Sequence, residues 1–203
     1  MDHPTADQLE CGYKAFQARE SRDAMYTTAT FLVCHYWGQP AKMADSLGVL
    51  LLTWNGALYR YGSFDFGELE KCIEKNIVML EGYRAKTIAD YTASDEQPVK
   101  CLFNQFLAAL TIAEGKKRGV RSPVATAKAL HLLAPGFFPL WDKKIASAYR
   151  CNYSQKPDEN YIAFVKISQS MAGSLQSIVL PTGKTLLKLI DEYNYSKYTK
   201  GWV

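Results

Sequence analysis

Three features of the sequence predict an all-α chain. Apolar residues recur at spacings of three and four along most of its length, which is the signature of helices with one buried face. No segment alternates with the period of two that a half-buried strand requires. With 203 residues, 48% of them hydrophobic, the chain can also bury a substantial core as one compact unit. Turn signals at Gly38–Pro40, Tyr61–Ser63, Asp95–Pro98, Gly115–Pro123, Ala134–Gly136 and Pro181–Gly183 divide it into roughly eight to ten helices.

Taken in order, Met43, Leu47, Leu50, Leu51, Trp54 and Leu58 mark one face of a helix that ends near Tyr61 and Gly62. A second helix runs from Ser122 and Pro123 to about Ala134, with Ser122 as its cap and Pro123 at the first helical position. The next starts near Pro139. Its expected buried face holds Trp141, Ile145, Ala148 and Tyr149, with Lys143, Ser147 and Arg150 on another face and Asp142 in the first turn. Phe164, Ile167, Met171, Leu175 and Ile178 mark a further helix. Leu186, Leu189, Ile190 and Tyr193 mark the last, with Thr182 as its expected cap. The N-terminal part is expected to pack back against these C-terminal helices.

Composition excludes several classes. The longest apolar run, Leu47–Trp54, is interrupted by Gly48 and Thr53 and is too short to cross a bilayer. The N-terminus, MDHPTADQLE, lacks the basic and then apolar pattern of a signal peptide, so a cytoplasmic or nucleoid-associated location is expected. Without secretion, the NYS sequons at Asn152 and Asn194 carry no meaning. The cysteines at 11, 34, 72, 101 and 151 are odd in number and form no C-x-x-C pair. They predict buried thiols rather than disulfides, zinc or iron–sulfur ligation, and no cofactor is called for.

The net charge of +4 is concentrated in one segment. Between Lys116 and Arg150 lie eight basic residues (Lys116, Lys117, Arg118, Arg121, Lys128, Lys143, Lys144, Arg150) and a single acid, Asp142, giving +7. The remainder carries 16 basic groups against 19 acids, or −3. Such a segment suits a polyanionic partner, because phosphate neutralisation releases counterions; a solvated helix face is the alternative.

Three other motifs read as structural. LPTGKTLLKL ends like a phosphate loop, but the required first glycine is Ile178 and no strand precedes it. Cys34 and His35 are adjacent and point to different sides of a helix. His131, among Leu130, Leu132 and Leu133, reads as a core histidine.

The segment GKKRGVRSPVATAKALHLLAPGFFPLWDKKIASAYR, Gly115–Arg150, resembles the helix-hairpin-helix DNA glycosylase superfamily over about 30 residues. In that family a hairpin of pattern L-P-G-V-G-x-x-T-A grips a phosphate, and an aspartate in a V-D-x-x-V setting begins a later helix facing the flipped nucleotide. Thr126-Ala127 matches T-A, and Leu140–Ile145 matches the aspartate motif. Arg121 and Pro123 replace the hairpin glycines, and Ala125 occupies the position of the amine nucleophile, 17 residues before Asp142.

The resemblance implies a two-lobed helical bundle, with residues 38–134 as one sub-lobe and residues 1–37 with 135–203 as the other. It implies a monofunctional glycosylase that hydrolyses the bond to a damaged or modified base flipped from double-stranded DNA. Asp142 would stabilise positive charge at the sugar C1′ and orient the attacking water. Lys128 would take part only in another register and reads first as a phosphate contact or a solvated lysine. Lys116, Lys117, Arg118, Arg121, Ser122, Thr126, Lys143 and Lys144 are the expected DNA contacts. Trp141, Phe137, Phe138, Trp54 and Asn55 are candidates for the base pocket or the wedge, although Trp54 also fits the core. A non-catalytic DNA-binding module and a helical protein-interaction domain are the competing classes.

Overall fold

The computed structural model describes residues 3–60, 62–175 and 178–203. The chain is all-helical; among these residues the one extended pairing is a single bridge between Phe64 and Ile112. Among the described residues ten α-helices follow in order: α1 (Ala6–Arg19), α2 (Asp23–His35), α3 (Pro40–Trp54), α4 (Gly56–Tyr59), α5 (Phe66–Arg84), α6 (Glu96–Ala109), α7 (Pro123–Leu133), α8 (Lys143–Ala148), α9 (Pro157–Ser174) and α10 (Leu186–Asn194). Two 3₁₀ turns, Ile88–Asp90 and Ala93–Asp95, precede α6, and a π-helical stretch, Tyr195–Lys200, extends α10. None of the described helices is long and apolar enough to cross a membrane.

The first and last helices pack directly on one another. Gly12 makes this approach feasible, because a Cβ there would sit 2.7 Å from the Tyr193 Cα. Ser196 Oγ donates to the Gly12 carbonyl at 2.9 Å and closes the same seam. α2 lies on α3, α3 on α5, and α6 on both α7 and α9. Phe103 and Phe106 of α6 are fully buried in the middle of this arrangement.

Helix α10 is buried on nearly every side and carries charges inside. The Lys188 side chain is 0% exposed. Its Nζ lies 3.2 Å from Asp23 Oδ1 on α2, 3.2 Å from Glu192 Oε1 and 3.7 Å from Asp191 Oδ2. It also faces the rings of Phe16, Tyr26 and Trp54, at 4.4, 4.5 and 5.3 Å from their centroids. Burial alone would push this ammonium down, yet Asp191, Glu192 and Asp23 together hold it above the ordinary lysine range. One buried cation thus joins α1, α2, α3 and α10.

The connection from α7 to α8, residues 134–142, is fixed along its length. Ile88 N donates to the Gly136 carbonyl at 2.7 Å, Thr185 Oγ1 to Pro135 at 2.9 Å and Tyr161 OH to Pro139 at 3.0 Å. His131 is fully buried, and its Nδ1 lies 2.7 Å from the Phe138 carbonyl. A carbonyl can only accept, so Nδ1 carries the proton and Nε2 accepts from Tyr26 OH at 2.9 Å. Burial pushes His131 down to about 3 and keeps it neutral.

Several local expectations are corrected. α8 starts at Lys143 rather than near Pro139, because Asp142 is its N-cap and Trp141 lies before it. Ala148 is exposed, and Ala146 is buried in its place. Thr185, not Thr182, caps α10, its side chain accepting from Lys188 N. α9 ends at Ser174, short of Ile178. Pro98 falls inside the first turn of α6 rather than in a turn. The connection from α6 to α7 obtains its positive-φ glycines earlier than the resemblance placed them, at Gly115 and Gly119. Of the five free cysteines, Cys11, Cys34 and Cys101 are exposed, Cys72 is half-buried and Cys151 alone is buried. The turn signal at Tyr61 lies outside the described residues.

The α1–α10 seam leads to a stability prediction. Gly12→Ala raises helix propensity by about 1 kcal/mol, yet it drives a methyl group into the Tyr193 backbone. A net loss of about 1–3 kcal/mol is expected in urea unfolding.

Candidate active site

A cleft opens where α1, α3, α7, α10 and the start of α8 converge. It is lined by Phe16, Glu20, Arg22, Trp54, Lys128, Leu140, Trp141, Asp142, Asp191 and Tyr195. Its free volume is about 60 Å³. That admits a few water molecules but not a nucleobase, so entry of a planar ligand requires the mouth to widen.

The mouth is held by a hydrogen-bonded cluster. Arg22, the most exposed of the lining residues, donates from Nε to Glu20 Oε1 and from Nη2 to Glu20 Oε2, both at 2.8 Å. Arg22 Nη2 also donates to Tyr195 OH at 2.8 Å, and Tyr195 OH donates to Glu20 Oε2 at 2.7 Å. The bidentate guanidinium holds the Glu20 carboxyl down at about 2.

Asp142 serves the backbone and the cleft at once. Its Oδ1 accepts from Ile145 N at 2.8 Å, capping α8, and its Oδ2 accepts from Thr199 Oγ1 at 2.7 Å. Lys128, at the middle of α7, points into the same space. Its Nζ donates to Asn55 Oδ1 at 2.9 Å and approaches the Trp54 carbonyl at 3.4 Å. Burial pulls the Lys128 ammonium down to about 8, against the upward pull of Asp191 and Asp142. Lys128 is therefore a cleft residue, not a solvated lysine or a phosphate contact.

Of the aromatic candidates, Trp141 and Trp54 line the cleft. Trp141 is held rigidly by Phe103, Tyr153, Tyr161 and Phe164, with ring centroids 5.2–6.4 Å away. Its buried Nε1 has no acceptor among the described residues. Trp54 Nε1 donates to the Arg22 carbonyl at 2.9 Å, which makes Trp54 a wall of the cleft rather than only core. Phe137 and Phe138 are corrected to core: both are 0% exposed and pack against Tyr83 at 4.5 and 5.2 Å. Asn55 is buried beside Lys128 and positions that amine, so it cannot project as a wedge.

The expected DNA contacts separate in the same way. Thr126 is fully buried with Oγ1 bonded to the Ser122 carbonyl, which removes it from any phosphate. Ser122 Oγ already accepts from Ala125 N, and Pro123 has no N–H, leaving at most the Val124 amide at that helix start. Lys117 Nζ donates to the Ala57 carbonyl, and Lys144 Nζ to the Thr199 carbonyl at 2.8 Å. Lys116, Arg118, Arg121, Lys143 and Arg150 are exposed.

Asp191, Arg22, Glu20, Tyr195 and Phe16 were not singled out by sequence reasoning. A signal was present for Asp191: Lys188, Asp191 and Glu192 lie three and four apart inside the otherwise apolar run of α10. Charges placed in that way on a buried helix pair with one another or face a cavity. Comparison of the chain with protein-family models, curated proteins and solved structures gave no match.

The cap geometry separates folding from chemistry at Asp142. Asparagine caps helices about as well as aspartate, so Asp142→Asn is expected to lower stability by under about 1 kcal/mol, whereas Asp142→Ala costs about 0.5–2 kcal/mol. Urea midpoints of the two variants check this.

Proposed function

We propose that the chain is a DNA glycosylase that breaks the N-glycosidic bond of a damaged or modified nucleotide extruded from duplex DNA into the Asp142 cleft. The observation that carries this reading is the convergence of Lys128, Asp142 and Asp191 with Phe16, Trp54, Trp141 and Tyr195 around one cleft. Flat apolar walls suit a stacked base, and Trp141, one of those walls, has a buried Nε1 with no partner among the described residues.

In this mechanism the bond to the base lengthens and positive charge builds at C1′. The Asp142 carboxylate opposes that charge from a site with little water, where the interaction is stronger than in bulk solvent. Its two protein hydrogen bonds orient it and leave its oxygens further acceptor capacity. Two nucleophiles can then meet C1′: a water oriented by Asp142, or the Lys128 amine. A lysine near pKa 8 is about one-tenth neutral at pH 7. The place of Lys128 in the cleft favours the amine, which gives a Schiff base with the opened sugar. Exposed Lys143 beside Asp142, with Arg118 and Arg121 on the loop before α7, supplies cations for the DNA backbone.

One observation favours a second reading. Both Asp142 oxygens already have protein donors, as suits a carboxylate that only shapes a non-catalytic nucleotide-binding pocket.

Base release from duplexes carrying a panel of damaged and modified bases decides between them. Asp142→Asn and Lys128→Met are each expected to lose about 10²-fold or more in release rate while DNA affinity stays within about threefold. Borohydride is expected to trap the parent protein on DNA, but not Lys128→Met. Reversing Arg118, Arg121 and Lys143 to glutamate should weaken binding and lower its salt dependence by about one unit of slope per lost phosphate contact. Binding without release by any parent preparation would leave the pocket reading.

A further inference from the structure

The cluster behind the cleft contains an imbalance of charge. Lys184 and Lys188 face three carboxylates, those of Asp23, Asp191 and Glu192. Adding the neighbouring cleft groups does not change the balance, because Lys128 offsets Asp142 and Arg22 offsets Glu20. Tyr26 and Tyr195 face the same region as neutral phenols, each held above its ordinary range mainly by burial. One negative charge is left over in a largely buried cluster, and a proton on one carboxylate removes it.

The pairing distances identify which carboxylate. Glu192 contacts both lysines, through a short bond to Lys184 and at 3.2 Å to Lys188. Asp23 also contacts both, at 3.5 and 3.2 Å. Asp191 reaches only Lys188, at 3.7 Å, and is the one of the three that lines the cleft. It is 8% exposed.

We propose that Asp191 is a second catalytic carboxylate of this cleft, acting as the proton donor to the departing base, and that the substrate is a neutral base which leaves carrying that proton. This rests on the glycosylase reading above. As the C1′–N bond breaks, its electron pair goes to the base. The Asp191 proton passes to a ring nitrogen of the base, which departs neutral. The C1′ cation accepts the lone pair of the Lys128 amine, and the resulting ammonium returns one proton to the Asp191 carboxylate. Burial, with Asp142 and Glu192 nearby and against the pull of Lys188 and Lys128, raises the Asp191 carboxyl to about 7, so it holds a proton near neutrality.

Two measurements on the full chain test the inference. In ¹³C carboxyl NMR, one carboxyl resonance is expected to titrate near neutrality and to vanish in Asp191→Asn; an Asp191 resonance titrating in the ordinary range around 4 overturns the assignment. In base release, duplexes containing deoxyinosine and N7-methyldeoxyguanosine are compared. The first loses a neutral base that needs a proton, while the second loses a base already cationic. Asp191→Asn is expected to slow deoxyinosine cleavage at least about tenfold more than it slows N7-methylguanine release, and to abolish the alkaline fall in the deoxyinosine pH–rate profile. Equal slowing on both duplexes means a structural role and overturns the inference while the glycosylase reading stands. A parent inert on both duplexes and on the wider panel overturns the glycosylase reading itself.

Discussion

The buried ammonium of Lys188 is the interaction on which the rest of the arrangement depends. It sits between carboxylates of α2 and α10 and against rings from α1, α2 and α3, so it fixes the rotation of α10 about its own axis. That rotation decides which side chains of α10 face the cleft. A well-packed hydrophobic replacement of a buried ion cluster often matches its stability, since desolvating ions is costly, but removing one partner strands the others. What the ions supply is a single orientation, and Asp191 reaches the cleft because of it.

A second constraint comes from the segment PGFFPLWD. Its two phenylalanines are anchors rather than contact residues, and four hydrogen bonds from α7, α9, a 3₁₀ turn and the cap of α10 hold its backbone. Trp141 and Asp142 emerge from this frame at fixed positions. Asp142 has a structural duty as the α8 cap and faces the cleft as well. The two roles are compatible because an ionised carboxylate can accept about four hydrogen bonds, and the cap and Thr199 use two.

The basic segment does not act as one surface. Lys128 lies inside, bonded to Asn55, and Lys117 and Lys144 donate to backbone carbonyls. Arg118, Arg121, Lys143 and Arg150 stay in solvent. The same local excess of positive charge therefore divides into one amine inside the cleft, two lysines bonded to backbone carbonyls and an exposed part. The Arg22–Glu20–Tyr195 cluster stands beside Lys128 in the lining of the cleft.

Helical character, most helix faces, the Ser122 cap and the core position of His131 were legible in the sequence, because each depends on residues within a few positions of one another. Asp142 stood out by its place in a basic run, and the cleft contains it. Trp141 and Trp54, also named as candidate walls, line it as well, but the rest of the site was not legible. Lys128 faces the cleft because Asn55, 73 residues away, receives its amine. Tyr195 lies 175 residues from its partner Glu20. Phe137 and Phe138 looked like pocket walls by proximity to Asp142, yet the chain turns between them and Trp141, and they fall on the core side. Periodicity records which side of a helix is apolar; only packing decides whether that side meets another helix or a cavity. The burial that shifts Lys128 and Asp191 exists only once distant helices have closed around them.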